Sequence, residues 1–453
     1  MIKHRNVDML SGSITKSLLA LTIPVMIMNV TQVLIQAVDM AILKQFGAEA
    51  AVGAVGVCGN LITLCTALLI GLSAGANVVV AKRVGSGNRE AADRAVMTAL
   101  LLAVVGGFFM LVIGAVFAET FLRMINCPES LLKEAVLYFR IYFYGLPILM
   151  LYNFSAAILR AIGDTKKPMF FLILGGIIKL VLTVVFVGTF HMSVDGVAYA
   201  TVISNLVAAV LAFADVLKSK EFFFVDFNKI RFSWPELKEM LFVGVPAGMQ
   251  SALYSFANVT IVSGVNSYGE AATTGMSIAN QFDGILYQIS YAPSLAIIPY
   301  VAQNIGARNI KRAKQSLGRA VLITTAFGFS FGMLSAIFSG QLSGLMTSSP
   351  EVIMYSKQKM VLVSSTYFIC GINEVMGGML KGMGKPILPT VATMVYMCAL
   401  RFVWVYAIYP LLPASLTYLY LIWPIGWILS IITLFIAYVP AMKKLQREQE
   451  ACA

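Results

Sequence analysis

The sequence predicts an all-α integral membrane protein with twelve transmembrane helices in two parallel six-helix repeats. Three observations predict it. The chain is 59% hydrophobic and only 12% charged, with a mean hydropathy of +0.84, a balance foreign to soluble domains. Its apolar windows reach the roughly 20 residues a spanning helix needs, and none keeps the period-two alternation of a membrane strand. The windows also fall into two sets of six that repeat at an offset of about 221 residues. Gly85-Ser86-Gly87-Asn88 returns as Gly306-Ala307-Arg308-Asn309, and Leu159-Arg160-Ala161-Ile162-Gly163 as Leu380-Lys381-Gly382-Met383-Gly384. Thr22-Ile23-Pro24 returns as Gly244-Val245-Pro246.

In chain order the first repeat places spans near 17–43, 52–80, 94–118, 135–160, 168–190 and 194–217. A Gly-Asn-rich turn at 85–88 separates the second from the third, and a basic loop from Arg160 to Lys167 separates the fourth from the fifth. The second repeat follows near 237–264, 272–302, 316–339, 356–381, 386–410 and 415–440, with its own turn at 306–309 and basic pair Lys381/Lys385. Several windows exceed what a bilayer requires, so tilt or extension into water is expected. Residues 1–217 then form an N-terminal lobe, 218–236 a polar, basic linker, and 237–453 a C-terminal lobe with a short tail. Six spans is an even number, so both repeats enter the membrane from one side and are related by an axis along its normal.

The net charge of +12 raises the question of a nucleic-acid partner, but its placement answers it. Most of the 33 Lys and Arg lie at the termini and in every second loop, while Lys44, Arg123, Lys133, Arg140, Lys357 and Lys359 fall on the opposite side. That asymmetry is the positive-inside pattern, which puts both termini in the cytoplasm and the chain in the cell membrane. No small-residue cleavage site follows the basic N-terminus, so no removed signal peptide is expected. Cys58, Cys65, Cys370 and Cys398 lie in spans, Cys452 in the tail and Cys127 alone outside, which leaves no disulfide framework. His4 and His191 without clustered cysteines make no zinc site, and no metal or cofactor is expected. The glycines at 85–88 do not cradle phosphate, because no strand precedes them and no Gly-Lys-Ser/Thr follows; a tight turn is the expectation.

Polar residues inside the spans carry the functional signal. Asn29, Gln32, Gln36 and Asp39 recur at spacings of 3, 4 and 3, one face of a helix. Ser251, Tyr254 and Asn258 repeat the stripe 222 residues later, but the position matching Asp39 is Ile261. Two such stripes line a central cavity in one reading and act as interhelical hydrogen-bond glue in the other. Asp39 favours the cavity, since glue rarely needs a carboxylate. The ionisable residues within spans are Asp39, Lys179, Asp283, Glu374 and Arg401. One arrangement pairs Asp39 with Lys179 and Glu374 with Arg401, either as static braces or with a carboxylate that carries a proton. Arg401 cannot deprotonate, so it is expected to hold an acid or a substrate anion.

These features together resemble the multidrug and toxic compound extrusion (MATE) family, in its bacterial DinF-like branch. The resembling residues are Val38-Asp39 with Phe46-Gly47, Lys82-Arg83-Val84-Gly85, Leu159 to Thr165 with Pro168, and Gly196 to Thr201. In the second repeat they are Gln303-Asn304-Ile305-Gly306-Ala307, and Glu374 leading into Gly382-Met383-Gly384-Lys385-Pro386. The resemblance runs from about residue 10 to 445. It implies two lobes in a V shape, export of drugs or other amphipathic organic compounds by alternating access, and a sodium or proton gradient as the driving force. It also makes the acid matched by Asp39 a coupling residue. One departure matters. Where the branch often has Asn and Asp four residues apart in span 5, this chain has Lys179 and Thr183. An ammonium replaces part of an oxygen set, which points to proton in preference to sodium coupling. The alternative function is a flippase for a lipid-linked saccharide or other polar lipid, which calls for a more basic cavity. An intramembrane enzyme would need a Ser/His or clustered-His constellation that the spans lack, and a channel fits a duplicated, acid-bearing architecture less well. The partners expected are small organic substrates, protons or sodium ions, and the bilayer.

Overall fold

The computed structural model describes residues 7–46, 49–125, 127–226 and 232–451, apart from the side chains of residues 44, 49–52, 60, 252 and 254–259. Among these residues all regular structure is helical. The first repeat contains α1 (Ile14–Gln45), α2 (Glu49–Gly85), α3 (Arg89–Met124), α4 (Glu129–Tyr144), α5 (Leu146–Ala161), α6 (Lys166–Thr183) and α7 (Val194–Lys218). The second contains α8 (Trp234–Asn266), α9 (Glu270–Gly306), α10 (Ile310–Ile337), α11 (Ser339–Gly344), α12 (Pro350–Ser364) and α13 (Tyr367–Gly382). It closes with α14 (Ile387–Ala392), α15 (Leu400–Val403), α16 (Leu416–Tyr420) and α17 (Ile422–Glu450). Among the described residues, nine helical runs are long and apolar enough to cross a membrane, and two bent pairs bring the number to eleven. The 33-residue α8 stands where the seventh span is predicted.

The bent pairs are the predicted fourth and tenth spans, each expected as one helix. The break between α4 and α5 is 45° and that between α12 and α13 is 46°. Their causes differ. Gly145 separates the first pair, and Pro147 at the start of α5 has no N–H and would clash with the preceding turn if the helix ran on. No proline marks the second break. There Ser365 Oγ donates to the Val361 carbonyl at 2.6 Å and Thr366 Oγ1 to that of Val363 at 2.9 Å. Such back-bonding competes with the backbone ladder and bends helices. The duplication has kept a bend and exchanged its chemistry.

Turns are duplicated more literally. α5 and α13 both end on a left-handed glycine, Gly163 (φ +85°) and Gly384 (φ +72°). In each, the following N–H reaches back five residues, Asp164 to Leu159 at 2.9 Å and Lys385 to Leu380 at 2.8 Å. This is the C-terminal cap that only glycine enters without strain. The surroundings differ, because a Cβ on Gly163 would lie 2.4 Å from the Val7 carbonyl, whereas one on Gly384 meets nothing within 4 Å. Gly384→Ala is therefore expected to cost only the left-handed penalty of about 1–2 kcal/mol, and Gly163→Ala clearly more. Thermal unfolding of the two variants in one detergent checks this; equal losses would contradict it. The stretches 85–88 and 306–309 are tight turns, as expected, and each ends on a helix cap. Asn88 Oδ1 accepts from Ala91 N at 3.0 Å and Asn309 Oδ1 from Arg312 N at 3.3 Å.

The helices divide into two compact units that are not the contiguous stretches 1–217 and 237–453. Unit 1 is Met1–Val7 with Val30–Gly248, and unit 2 is Asp8–Asn29 with Met249–Ala453. The opening of α1 thus packs with the second repeat, and the opening of α8 with the first. Each placement has a local cause. Within unit 1, Gly71 and Gly75 of α2 meet Gly244 and Gly248 of α8 with no side chain between them; a Cβ on Gly71 would lie 2.2 Å from Gly248 N. Small residues four apart permit this backbone approach in a membrane. The seam ends in ion pairs, Lys82 to Glu239 at 2.7 Å and Arg83 to Glu236 at 2.9 Å. Within unit 2, the segment before α1 is held through its carbonyls instead. Arg312 donates to Met9 O at 3.0 Å and Gly12 O at 2.8 Å, and Asn304 to Met9 O at 2.9 Å.

Candidate ion-coupling site

In unit 1, Asp39 lies two turns before the end of α1, and Lys179 and Thr183 lie one turn apart on the same face of α6. Lys179 Nζ is 2.7 Å from Asp39 Oδ2, and Thr183 Oγ1 donates to Asp39 Oδ1 at 3.1 Å. Both carboxylate oxygens are therefore engaged. Asp39 is 6% exposed and Thr183 fully buried, while the Lys179 side chain keeps 17% of its surface open. Gly176, one turn before Lys179, lets the two helices close, since a Cβ there would collide with Ile35, one turn before Asp39. Tyr138 of α4 is near enough to interact electrostatically with the carboxylate. Directly after Thr183 the helix widens into a π turn over Val184–Thr189, an irregularity frequent at functional sites.

Unit 2 holds a different constellation. Asp283 is paired, and its partner is Lys359, at 2.8 Å from Oδ2. Lys359 also donates to Asn280 Oδ1, one turn before Asp283 on α9. Ser364 Oγ donates to Asp283 Oδ1 at 3.3 Å. The Lys359 ammonium lies 5.3 Å from the ring centre of Trp423, and the Arg401 guanidinium lies 5.4 Å from the same ring, both within cation–π range. Lys359 and Arg401 are each 1% exposed.

This corrects two expectations. Lys359, taken from sequence as a charge outside the membrane, is inside unit 2, because α12 starts at Pro350, six residues before the predicted span. The expected Glu374–Arg401 pair does not form among the described residues. Glu374 is buried on α13 and faces Tyr287 and Lys381. The residues of the polar stripes divide between the units. Asn29 belongs to unit 2 and is buried, whereas Gln32 and Gln36 belong to unit 1 and are exposed. Ser251 is exposed, and the side chains of Tyr254 and Asn258 lie outside those described.

The duplication relates the two constellations. Lys359 stands 221 residues after Tyr138, and Arg401 stands 222 after Lys179. The π turn Thr393–Ala399 ahead of Arg401 accounts for the extra residue. Unit 1 thus has a tyrosine and a lysine where unit 2 has a lysine and an arginine. The acid has moved from the first helix of the repeat to the second.

A sequence model of the MatE family matches this chain twice, over residues 24–185 and 246–407. The chain belongs to the MatE family. The two matches are 222 residues apart, so the family unit is the repeat itself. Among curated relatives, a probable multidrug resistance protein of Bacillus subtilis, YpnP, is 26% identical over 403 residues, covering 87% of this chain and 88% of its own. A protein of Shewanella oneidensis named FAD transporter is 25% identical, covering 83% and 84%. A solved structure of a MOP superfamily transporter from Pyrococcus furiosus superposes with a TM-score of 0.91 at 21% identity, covering 98% of this chain and all of that one. That likeness shows the fold. As a MatE protein, the chain is a multi-pass membrane transporter and not an enzyme.

Proposed function

We propose that this MatE protein exports drugs or other amphipathic organic compounds by alternating access, driven by a proton gradient in preference to a sodium gradient, with both termini in the cytoplasm. The observation that carries the coupling is the 2.7 Å contact between Lys179 and Asp39. A sodium ion needs several oxygens, and here an ammonium and a hydroxyl already occupy both oxygens of the one carboxylate found at the site among the described residues. A paired ammonium can hand its proton to the carboxylate and leave two neutral groups, which a bound metal cannot do. One proton crossing 100 mV supplies about 2.3 kcal/mol, enough for a roughly fiftyfold gradient of a neutral compound. The alternative, moving a pyrophosphate-bearing lipid, requires cations facing a cavity. Lys359 and Arg401 are buried and already engaged, which supports export over flipping.

Efflux of a fluorescent drug from proteoliposomes tests the coupling. A proton gradient without sodium should sustain export, and Asp39→Asn should slow it at least about tenfold, a loss of roughly 1.4 kcal/mol in the transport barrier. Strong sodium dependence abolished by Asp39→Asn would sink the proposal.

A further inference from the structure

Unit 2 has an apolar groove of about 370 Å³ between α9, α10 and α11, a volume in the range of ligand sites. Phe282, Leu286 and Ile289 line it from one face of α9. Phe331, Ser335 and Phe338 line it from α10, and Leu342 adds α11 at the far end. The two long helices are antiparallel across the 306–309 turn, so Phe282 stands level with Phe338 and Ile289 with Phe331. The groove therefore runs along the helices for about 10 Å. A shift of α10 cannot close it. A Cβ on Gly332 would lie 2.2 Å from the Ser364 carbonyl and one on Gly328 2.7 Å from Phe368 Cα, so α10 is already seated against α12 and α13. Thr324 Oγ1 donates to Ser290 O at 3.0 Å and pins α10 to α9 just beyond Ile289.

Its wall and its depth say what fills it. Phe331, Leu334 and Phe338 are exposed and continue the exposed apolar side of α10 through Leu322 and Phe329, so the groove opens onto a surface that meets lipid. Ser335 is its polar residue. It is 8% exposed, and its hydroxyl has no hydrogen-bond partner among the described residues. A helical serine ordinarily returns its hydroxyl to its own backbone, as Ser316 and Ser339 do. A buried donor left unmet is costly in hydrocarbon, so Ser335 marks the place of an acceptor that the chain does not supply. Ser335 lies 16 residues beyond Arg319, the last charged residue of α10, a rise of about 24 Å. One turn later the chain becomes polar at Ser339 and Gln341. Hydrocarbon is about 30 Å thick, so Ser335 sits near its far boundary, where the ester carbonyls of a bilayer lipid begin. Phe331 and Ile289 sit deeper, at the level of the tails.

We propose that this groove binds one tail of a phospholipid from the leaflet away from the 306–309 turn, with the ester carbonyl accepting from Ser335 Oγ and the upper carbons lying between α9 and α10. The occupant is a lipid rather than an exported compound because of the order of groups. The donor stands at the headgroup end and the apolar wall extends below it, which is the order of an acyl ester held along spanning helices. The site does not depend on the role given to Asp39 and Lys179, and the two can fail separately.

Photolabelling in vesicles tests it. The full-length protein is reconstituted in phosphatidylethanolamine and phosphatidylglycerol with a trace of phosphatidylglycerol that carries a diazirine in one tail. The control is the exposed apolar face of α3 at Val105, Phe108, Phe109 and Val112, which has the same access to lipid. Peptide mass spectrometry should find labelling over 282–289 and 331–342 at least about threefold denser than on that face, the preference that one hydrogen bond gives within a membrane. Ser335→Ala should bring the labelling down to the α3 level. So should a probe with ether-linked tails, which has no carbonyl to accept. Labelling no denser than on α3 overturns the proposal, and so does enrichment that survives either change. Enrichment that the apolar dye Nile red abolishes, when far scarcer than lipid, assigns the groove to exported compounds and overturns it too. Should Ser335→Ala not yield folded protein, the ester and ether probes on the unchanged chain still decide.

Discussion

Asp283→Ala should destabilise unit 2 by about 3–5 kcal/mol, the range for stranding one member of a buried ion pair. The alanine leaves Lys359, 1% exposed, with the Asn280 amide oxygen and the Trp423 face as its acceptors among the described residues. Neither carries a full negative charge, and water does not reach the ammonium. Combining Asp283→Asn with Lys359→Met removes both charges and keeps the volume, so the double variant should recover most of the loss. The equivalent change in unit 1, Asp39→Ala, should cost less. There the Lys179 side chain retains 17% exposure, so solvent or lipid headgroups can take over part of the pairing. Thermal unfolding of the single and double variants in one detergent gives the coupling. If the double variant loses as much as Asp283→Ala alone, Lys359 and Asp283 do not act as a pair.

The contrast between the two pairs shows how far the sequence could be read. Asp39 and Lys179 were legible because each lies deep in an apolar window, where opposite charges have few other partners. Lys359 was not, for a local reason. The tenth apolar window begins near residue 356, which puts Lys359 near its edge, where a lysine reaches water. Ser349 followed by Pro350 is a helix-start signal, and moving the boundary there places Lys359 on the buried face with Ser356, Met360 and Val363. Glu374 and Arg401 failed as a pair because charge sign and depth do not fix rotation about the helix axis. The face of α13 that carries Glu374 turns toward Tyr287.

The fold divides in the same way. Apolar windows and the repeated turns give the number and order of helices, because hydrocarbon leaves the backbone no alternative. They give no neighbours, so the packing of the opening of α1 with the second repeat was invisible. The bend between α12 and α13 was hidden too, since Ser365 and Thr366 act through hydroxyl bonds to their own helix rather than through proline. Gly145 and Pro147 at the matching place offered a clue that only the duplication could have transferred.

The seam between α2 and α8 carries the second large effect. Gly75→Leu should loosen unit 1 by more than the usual 1–3 kcal/mol of overpacking. A Cβ at that position would lie 2.2 Å from the Met240 carbonyl and 2.9 Å from Gly244 N, and backbone does not yield as a side chain does. The opening of α8 would have to withdraw. Its withdrawal would also part Lys82 from Glu239 and Arg83 from Glu236. Gly71→Leu should behave alike, with 2.2 Å to Gly248 N. Gly56→Leu and Gly59→Leu are the controls on the same helix, since neither position has anything within 4 Å and leucine is the better helix former. High salt should separate the two parts of the seam. It weakens the ion pairs, one of which has a lysine side chain 39% exposed, and leaves the glycine contact untouched. The gap between Gly75→Leu and Gly59→Leu in thermal unfolding should therefore persist in high salt. If Gly75→Leu unfolds with the controls, the two backbones do not meet there, and the reason for placing the opening of α8 in unit 1 falls with that result.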